Sequence, residues 1–268
     1  MNCRICNQNS KLIFETKVLN KYGVNYFQCT NCKFIQTEEP YWLNEAYQNA
    51  ITSLDIGLIS RNLYLLENIP QIIDNCFPKA KSMLDYGGGY GMFVRMMRDK
   101  GYQYYRQDIY CENLFAKYFD ITDNPNLKID IVTAFEVFEH LANPIEEIEK
   151  MLCYAENIIF STVVIPENTN EIKDWWYITP QTGQHVSFYS LEALQFMAKK
   201  YYLNLYSNNQ NLHFFSKNKI ENKIIEKVFH PRKTIKEKIA DKLRSSGISK
   251  PSLLQTDYDF ILNKLNNQ

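Results

Sequence analysis

A run of glycines between two acidic residues is the part of this sequence that best fits ligand binding. The segment Met83-Leu-Asp-Tyr-Gly-Gly-Gly-Tyr-Gly91 follows a predicted strand and opens a predicted helix. Glycines can adopt positive φ, and they leave the backbone open to a ligand. Asp85 precedes the first glycine by two residues, and Asp108 ends the next predicted strand. We therefore expect a ligand at the carboxyl edge of a sheet.

The two acids narrow the choice of ligand. A glycine turn also suits dinucleotide dehydrogenases, but an acid at position 85 would face their diphosphate. Asp85 can instead receive a cationic amino group, directly or through water, and Asp108 can reach ribose hydroxyls. The alternative is a tight strand-to-helix turn that binds nothing.

The first 32 residues hold four of the seven cysteines, in two C-x-x-C pairs: Cys3 and Cys6, then Cys29 and Cys32. Two such pairs, brought together by a hairpin within residues 11–27, predict a tetrahedral zinc site. Four thiolates close the coordination sphere, so the zinc would be structural. A redox C-x-x-C is the competing interpretation, but it needs only one pair, beside a βαβ unit.

Two histidines could act as a general base that removes a proton from a hydroxyl group. His140 follows the fourth predicted strand, and His185 lies in the connection that follows the fifth. Imidazole accepts protons near neutral pH, so either could be the general base. A hydrogen-bonded structural histidine is the alternative for both. Trp175, Trp176 and Tyr177 precede His185 and could stack on a sugar or pack the loop.

The elements that must position these residues alternate along the chain. Strands are predicted over 81–86, 103–107, 129–135 and 157–164, with a short one over 115–119. Helices are predicted over 91–100, from Asn143 with Pro144 in its first turn, and from a Ser190 cap to Tyr201. A strand pair over 203–206 and 212–216 closes the pattern. This order predicts a Rossmann-like, doubly wound, mostly parallel α/β sheet with a terminal antiparallel hairpin.

Composition limits the remaining possibilities. The formal net charge is zero and no apolar run could cross a bilayer, so we expect no membrane span, a cytoplasmic location and no general attraction to nucleic acid. We divide the chain into a zinc module over 1–40, a helical linker over 41–79 that Pro70 kinks or divides, an α/β ligand-binding domain over 80–217 and a helical extension over 218–268. The oligomeric state stays open.

The segment Leu84–Gly91 resembles the first motif of class I S-adenosylmethionine-dependent methyltransferases, and Asp108 matches their ribose-binding acid. Ala134-Phe-Glu-Val-Phe-Glu-His-Leu141 resembles the segment that lines the methionine and the sulfonium in that family. The resemblance covers residues 80–217 and implies the following cofactor-binding residues: Asp85, Tyr86, Gly87, Gly88, Gly89, Gly91, Asp108, Phe135 and Glu136, with Phe119 or Asp120 at the adenine.

With the four-cysteine module, the chain also resembles methyltransferases of bacterial glycan and sugar modification. That resemblance implies methylation of an oxygen on a sugar, a nucleotide-sugar or a phosphorylated small molecule, in surface-polysaccharide biosynthesis. Methylation of carbon beside a sugar ketone and methylation of an RNA base are alternatives. A non-catalytic fold that binds a partner through the zinc module is a third.

Overall fold

The computed structural model describes residues 1–48, 51–166, 172–230 and 252–266. Its strands are β1 (Ser10–Val18), β2 (Tyr22–Cys29), β3 (Ile35–Thr37), β4 (Ser82–Tyr86), β5 (Gln103–Gln107), β6 (Ile131–Ala134), β7 (Ile158–Ser161), β8 (Ser187–Phe188), β9 (Asn204–Ser207) and β10 (Leu212–Ser216). Its α-helices are α1 (Leu43–Ala46), α2 (Leu58–Cys76), α3 (Met92–Asp99), α4 (Pro144–Leu152), α5 (Leu191–Lys200), α6 (Asn222–Phe229) and α7 (Leu254–Asn266).

The chain forms two compact units. The first comprises Met1–Thr52 and Lys79–Lys219, and the second comprises Ser53–Pro78 and Ile220–Gln268. Within the second unit, α2 packs against α6. The predicted C-terminal extension includes α6 and α7, while residues 231–251 and 267–268 lie outside the described part of the chain. No helix among the described residues is long and apolar enough to cross a membrane.

A six-stranded sheet forms the centre of the first unit, in the order β5-β4-β6-β7-β10-β9. The first four strands are parallel, and β10 is antiparallel to them. β9 pairs antiparallel with β10 and therefore runs in the same direction as the first four strands. Every residue of β6, β7 and β10 is buried, as in a sheet that is covered on both faces. The predicted doubly wound sheet with a terminal hairpin is confirmed.

The helices around this sheet begin where the sequence signals predict. Gly91 caps α3 with φ +83°, which favours glycine, and Pro144 occupies the first turn of α4. At α5, the Ser190 hydroxyl accepts a hydrogen bond from the Ala193 amide at 3.0 Å.

A second, four-stranded sheet has the order β1-β2-β3-β8. The hairpin of β1 and β2 is the one predicted between the cysteine pairs. The pairing of β3 with β8 is not predicted by the sequence, and it joins the cysteine-rich segment to the connection that carries His185. Both segments therefore belong to one folded unit.

One local prediction is wrong, and one of the two predicted effects of Pro70 does not occur. Residues 115–119 form no strand, because the Asn113 side chain binds the backbone amide and carbonyl of Ala116 and so competes with a β ladder. After this segment, Asp120 makes an isolated bridge to Arg106. Pro70 does not divide the preceding helix: it is buried inside the continuous α2.

Candidate active site

The glycine turn follows the carboxyl end of β4, a strand inside the central sheet. Gly87, Gly89 and Gly91 have φ of +69°, +53° and +83°. The amides of Gly87 and Gly88 donate to the Gln107 carbonyl at 2.8 and 3.2 Å, which holds the turn against the end of β5. A Cβ on Gly87 would lie 2.7 Å from Val137, whereas a Cβ on Gly89 would meet no atom within 4 Å. Neighbouring atoms therefore fill the space beside Gly87, whereas the space beside Gly89 is free for a ligand.

Two carboxylates flank this turn. Asp85 is 4% exposed and accepts a hydrogen bond from the Thr133 hydroxyl at 2.8 Å. Burial raises the pKa of Asp85 to about 7; Asp108 adds to the rise, while Thr133 and Arg106 oppose it. Asp108 accepts a 2.9 Å hydrogen bond from the Gly89 amide. A cationic group at Asp85 would favour its charged form.

Arg106 is a residue of the candidate site that the sequence pattern does not indicate. The residue is 4% exposed, and its guanidinium donates to the Gly89 carbonyl, to the Cys111 carbonyl at 3.0 Å and to the Asp120 carboxylate at 2.7 Å. It thereby ties the glycine turn to the two segments that follow β5. An arginine within a predicted strand carries no local signal of this role.

These residues fit S-adenosylmethionine. Asp85 and Asp108 stand on either side of a turn that is open at Gly89, so an amino-acid end and a ribose could each meet one carboxylate. Phe135, Glu136 and their neighbours follow β6, which is parallel and adjacent to β4, so both segments lie at the same edge of the sheet.

The remaining predicted cofactor residues have other contacts. Asp120 forms an ion pair with Arg106, and the Phe119 ring lies 3.5 Å from the Arg98 guanidinium. The Tyr86 hydroxyl donates to Glu147 at 2.6 Å. The Ser161 hydroxyl accepts from the Glu136 amide at 2.8 Å and donates to the Glu136 carboxylate at 2.7 Å, and Phe135 packs edge-on against Phe93. The adenine position at Phe119 or Asp120 remains a prediction.

The structure brings the two candidate bases together. The rings of His140 and His185 meet at right angles with centroids 4.9 Å apart. His185 Nδ1 lies 2.6 Å from the Tyr177 backbone carbonyl. A carbonyl only accepts, so the neutral His185 ring carries its proton on Nδ1 and is basic at Nε2.

Three hydrogen bonds hold the histidine segments against each other. The Val186 amide donates to the Glu139 carbonyl at 2.9 Å, the Ser187 hydroxyl to the Leu141 carbonyl at 2.6 Å, and the Tyr189 hydroxyl to the Phe138 carbonyl at 2.9 Å. They join the turn at Phe138–His140 to β8 and its neighbours. Val137, which immediately precedes the turn at Phe138–His140, abuts Gly87, so the segment that carries His140 starts next to the glycine turn.

Glu139 precedes His140 in the same turn and is fully buried. Among the described residues, neither of its carboxylate oxygens has a hydrogen-bond partner. Burial, and then the charge of Glu136, raise the pKa of Glu139 to about 8, although the nearby hydroxyls of Tyr177 and Thr162 oppose the rise. One of its carboxylate oxygens and one ring nitrogen of each histidine lie within 4.8 Å of one another.

Aromatic side chains surround this cluster. The Tyr47 hydroxyl lies 3.0 Å from His140 Nδ1, and the Tyr47 ring stacks on Tyr110 at 4.9 Å. In the predicted aromatic connection, Tyr177 is buried against His185, whereas Trp176 is 68% exposed. Tyr47 lies far from the histidines in sequence, so no motif could have indicated its contact with His140.

The four cysteines converge as predicted. The sulfur atoms of Cys3 and Cys32 are 3.6 Å apart, and those of Cys6 and Cys29 are 3.4 Å apart. The edge of a zinc tetrahedron with bonds of about 2.3 Å would be roughly 3.8 Å, so this donor set fits zinc. Hydrogen bonding from the Cys32 thiol lowers the pKa of Cys3 to about 5. All four cysteines are buried.

Comparison with known proteins identifies a family. A family model described as a methyltransferase domain matches residues 60–208, which is more than half of the chain. No curated protein matches the sequence significantly.

Solved structures with a similar arrangement have low sequence identity. An O-methyltransferase family protein from Burkholderia thailandensis is 11% identical, with a TM-score of 0.44; the match covers 66% of this chain and 63% of that one. A plantazolicin methyltransferase bound to a substrate analog and SAH is 14% identical, with a TM-score of 0.40; the match covers 66% of this chain and 89% of that one. A methyltransferase of calicheamicin biosynthesis bound to SAH is also 14% identical, with a TM-score of 0.39; the match covers 66% of this chain and 60% of that one. At these values, the three structures carry no argument about the acceptor.

Proposed function

Since this chain belongs to the methyltransferase domain family and is an S-adenosylmethionine-dependent methyltransferase, we propose that it methylates an oxygen of a sugar, a nucleotide-sugar or a phosphorylated small molecule. The observation that carries the proposal is the histidine pair, which lies close to a buried carboxylate on a segment that starts next to the glycine turn. An oxygen acceptor needs such a group, because its hydroxyl must lose a proton.

In this proposal, the glycine turn and its two carboxylates hold the cofactor. Asp85 receives the amino group, Asp108 receives the ribose hydroxyls, and Phe135 and Glu136 line the methionine end. The cofactor, when bound, supplies an electrophilic methyl group. The work left to the protein is to align the acceptor and to accept its proton.

His185 is the better placed of the two candidate bases. Its Nδ1 is committed to the Tyr177 carbonyl at 2.6 Å, which makes Nε2 the nitrogen that can accept a proton. His140 stands edge-on to it and meets the Tyr47 hydroxyl. We assign proton acceptance to His185 and a positioning role to His140.

The sugar-like acceptor is supported by exposed aromatic rings near the histidines and by the resemblance to sugar-modifying enzymes. Tyr110 stacks on Tyr47 and is 63% exposed, so its face could receive the C–H face of a sugar ring. The same base would serve carbon methylation beside a ketone. We also propose a cytoplasmic enzyme in polysaccharide biosynthesis, with a structural zinc on the four cysteines and no nucleic-acid partner.

The proposal is tested with radiolabelled cofactor and a panel of nucleotide-sugars and phosphorylated sugars. We expect label transfer to at least one acceptor. His185→Ala should lower kcat by about 100-fold or more and leave binding of S-adenosylhomocysteine intact. The exposed His230 provides the matched control, His230→Ala. Absence of transfer to any acceptor, by protein that binds S-adenosylhomocysteine, would contradict the proposed acceptor class.

A further inference from the structure

Three side chains of metal-binding type converge at the candidate active site. Glu139, His140 and His185 each offer a ligand atom, and these atoms lie within 4.8 Å of one another. Ligands about 2.1 Å from a cation lie roughly 3 to 4.2 Å apart, so small side-chain rotations would close this set on one ion. Two imidazoles and one carboxylate leave coordination positions open, as in metal sites that bind substrate.

The state of Glu139 points to a ligand that is absent from its surroundings. The residue is 0% exposed, and neither carboxylate oxygen has a hydrogen-bond partner among the described residues. Buried carboxylates are ordinarily paired, hydrogen-bonded or bound to a metal, because an isolated buried charge is costly. The two histidines of the same cluster lie within 4.8 Å of its carboxylate and could share a cation with it.

Both histidines also have the outer contacts that metal ligands require. A metal-binding histidine commonly uses its other ring N–H to donate to a carbonyl or another fixed oxygen, which orients the ring. His185 Nδ1 meets the Tyr177 carbonyl at 2.6 Å, and His140 Nδ1 meets the Tyr47 hydroxyl at 3.0 Å. In His185, this contact makes Nε2 the nitrogen that would bind a cation. In His140, the contact occupies Nδ1, and Nε2 is the second ring nitrogen.

The backbone fixes the cluster from both sides. Val186, which follows His185, donates its amide to the Glu139 carbonyl at 2.9 Å. Ser187 donates its hydroxyl to the Leu141 carbonyl, one residue beyond His140. All three ligands are thus held on two short segments that are hydrogen-bonded to each other, which is the rigid support that a metal site needs.

We propose that Glu139, His140 and His185 bind one divalent transition-metal cation, which coordinates the acceptor hydroxyl; this inference rests on the proposed function. The cation lowers the pKa of the bound hydroxyl, the O–H bond breaks and the proton passes to water. The oxygen then bonds to the methyl carbon, and the C–S bond breaks to leave S-adenosylhomocysteine. His185 Nε2 then binds the cation and does not itself accept the proton. The proposed acceptor class is kept, and the assignment of His185 as the general base is replaced.

Binding of Mn²⁺ to the full-length, zinc-loaded protein tests the site, since Mn²⁺ favours oxygen and nitrogen ligands over the cysteine thiolates. Electron paramagnetic resonance of free Mn²⁺ measures the ion that remains unbound. We expect one bound Mn²⁺ per chain and a loss of affinity of roughly tenfold or more in Glu139→Gln. Glu149→Gln is the control, because Glu149 is exposed and contacts Tyr201.

A second variant protects the test against misfolding. If Glu139→Gln fails to fold, as judged by circular dichroism, His185→Asn replaces it, with the exposed His230→Asn as its control. Equal Mn²⁺ affinity in wild type and a folded variant, or no Mn²⁺ binding by wild type at millimolar concentrations, would overturn the inference.

The outcome is separable from that of the proposed function. Mn²⁺ binding without methyl transfer to any acceptor would keep the cation site and remove the acceptor class. Full methyl transfer in chelator-treated protein that retains its zinc would overturn the cation's role while supporting the proposed function. Activity that falls on chelation and returns with Mn²⁺ supports both.

Discussion

The hydroxyl of Ser190 donates a 2.6 Å hydrogen bond to the backbone carbonyl of Cys32. The same hydroxyl caps α5. The strand β8 shortly precedes Ser190 and pairs with β3, which follows Cys32 in the cysteine module. The cysteine module is therefore built into the support of the candidate active site. This contact leads to the first two predictions.

Replacing Ser190 with alanine removes two interactions at once. The helix loses its cap, and the buried Cys32 carbonyl loses its donor. We expect the free energy of unfolding to fall by about 1 to 3 kcal/mol. Chemical denaturation measures it, with Ser60→Ala as the exposed control. A change within the error of the control would show that the contact adds no stability.

Zinc analysis tests the cysteine cluster. We expect one zinc per chain in wild type and in Cys153→Ser, an exposed cysteine outside the cluster. Cys29→Ser should lose the metal and unfold at a lower temperature, because zinc binding contributes directly to folding. Zinc retained at full occupancy in Cys29→Ser would contradict a four-thiolate site.

Arg106 is expected to hold the cofactor turn. Arg106→Gln would leave the Asp120 carboxylate without its buried partner and would release the Gly89 carbonyl. We expect a loss of about 3 kcal/mol in stability and weaker binding of S-adenosylhomocysteine. Calorimetry measures the binding, and Arg95→Gln, in an exposed ion pair with Asp99, is the control. Unchanged affinity would mean that the turn keeps its shape without the arginine.

The pKa of Asp85 predicts a pH dependence for cofactor binding. Below about pH 7 the buried carboxyl of the free protein is protonated and cannot pair with an amino group. Affinity for S-adenosylhomocysteine should therefore rise by up to about tenfold per unit as pH approaches 7, and level off above it. Asp85→Asn should remove the slope, while Asp99→Asn should keep it. A slope that persists in Asp85→Asn would assign the titration to another group.

Much of the fold could be predicted from local sequence signals. The strand at 103–107 and the α5 cap at Ser190 follow from periodicity and capping chemistry, which act within a few residues. The strand predicted at 115–119 failed because the Asn113 side chain satisfies the backbone there. Periodicity contains no information about such side-chain competition.

The sequence indicates individual residues of the candidate site, but not the long-range contacts that bring them together. The spacing of Asp85, Asp108 and the glycines around one turn indicates a ligand-binding site in the sequence alone. The contact of Tyr47 with His140 and the pairing of β3 with β8 join segments far apart in the chain, and a single sequence does not record them. The sequence does not indicate the role of Arg106, because that role depends on hydrogen bonds to Asp120 and Gly89, which lie 14 and 17 residues away.

A crystal structure of the protein with S-adenosylhomocysteine tests the central claim most directly. The account predicts ribose hydroxyls on the Asp108 carboxylate, the amino group near Asp85, and the sulfur facing the segment that carries His140 and His185. A cofactor bound away from the turn at Gly89, or with its sulfur directed away from both histidines, would contradict it.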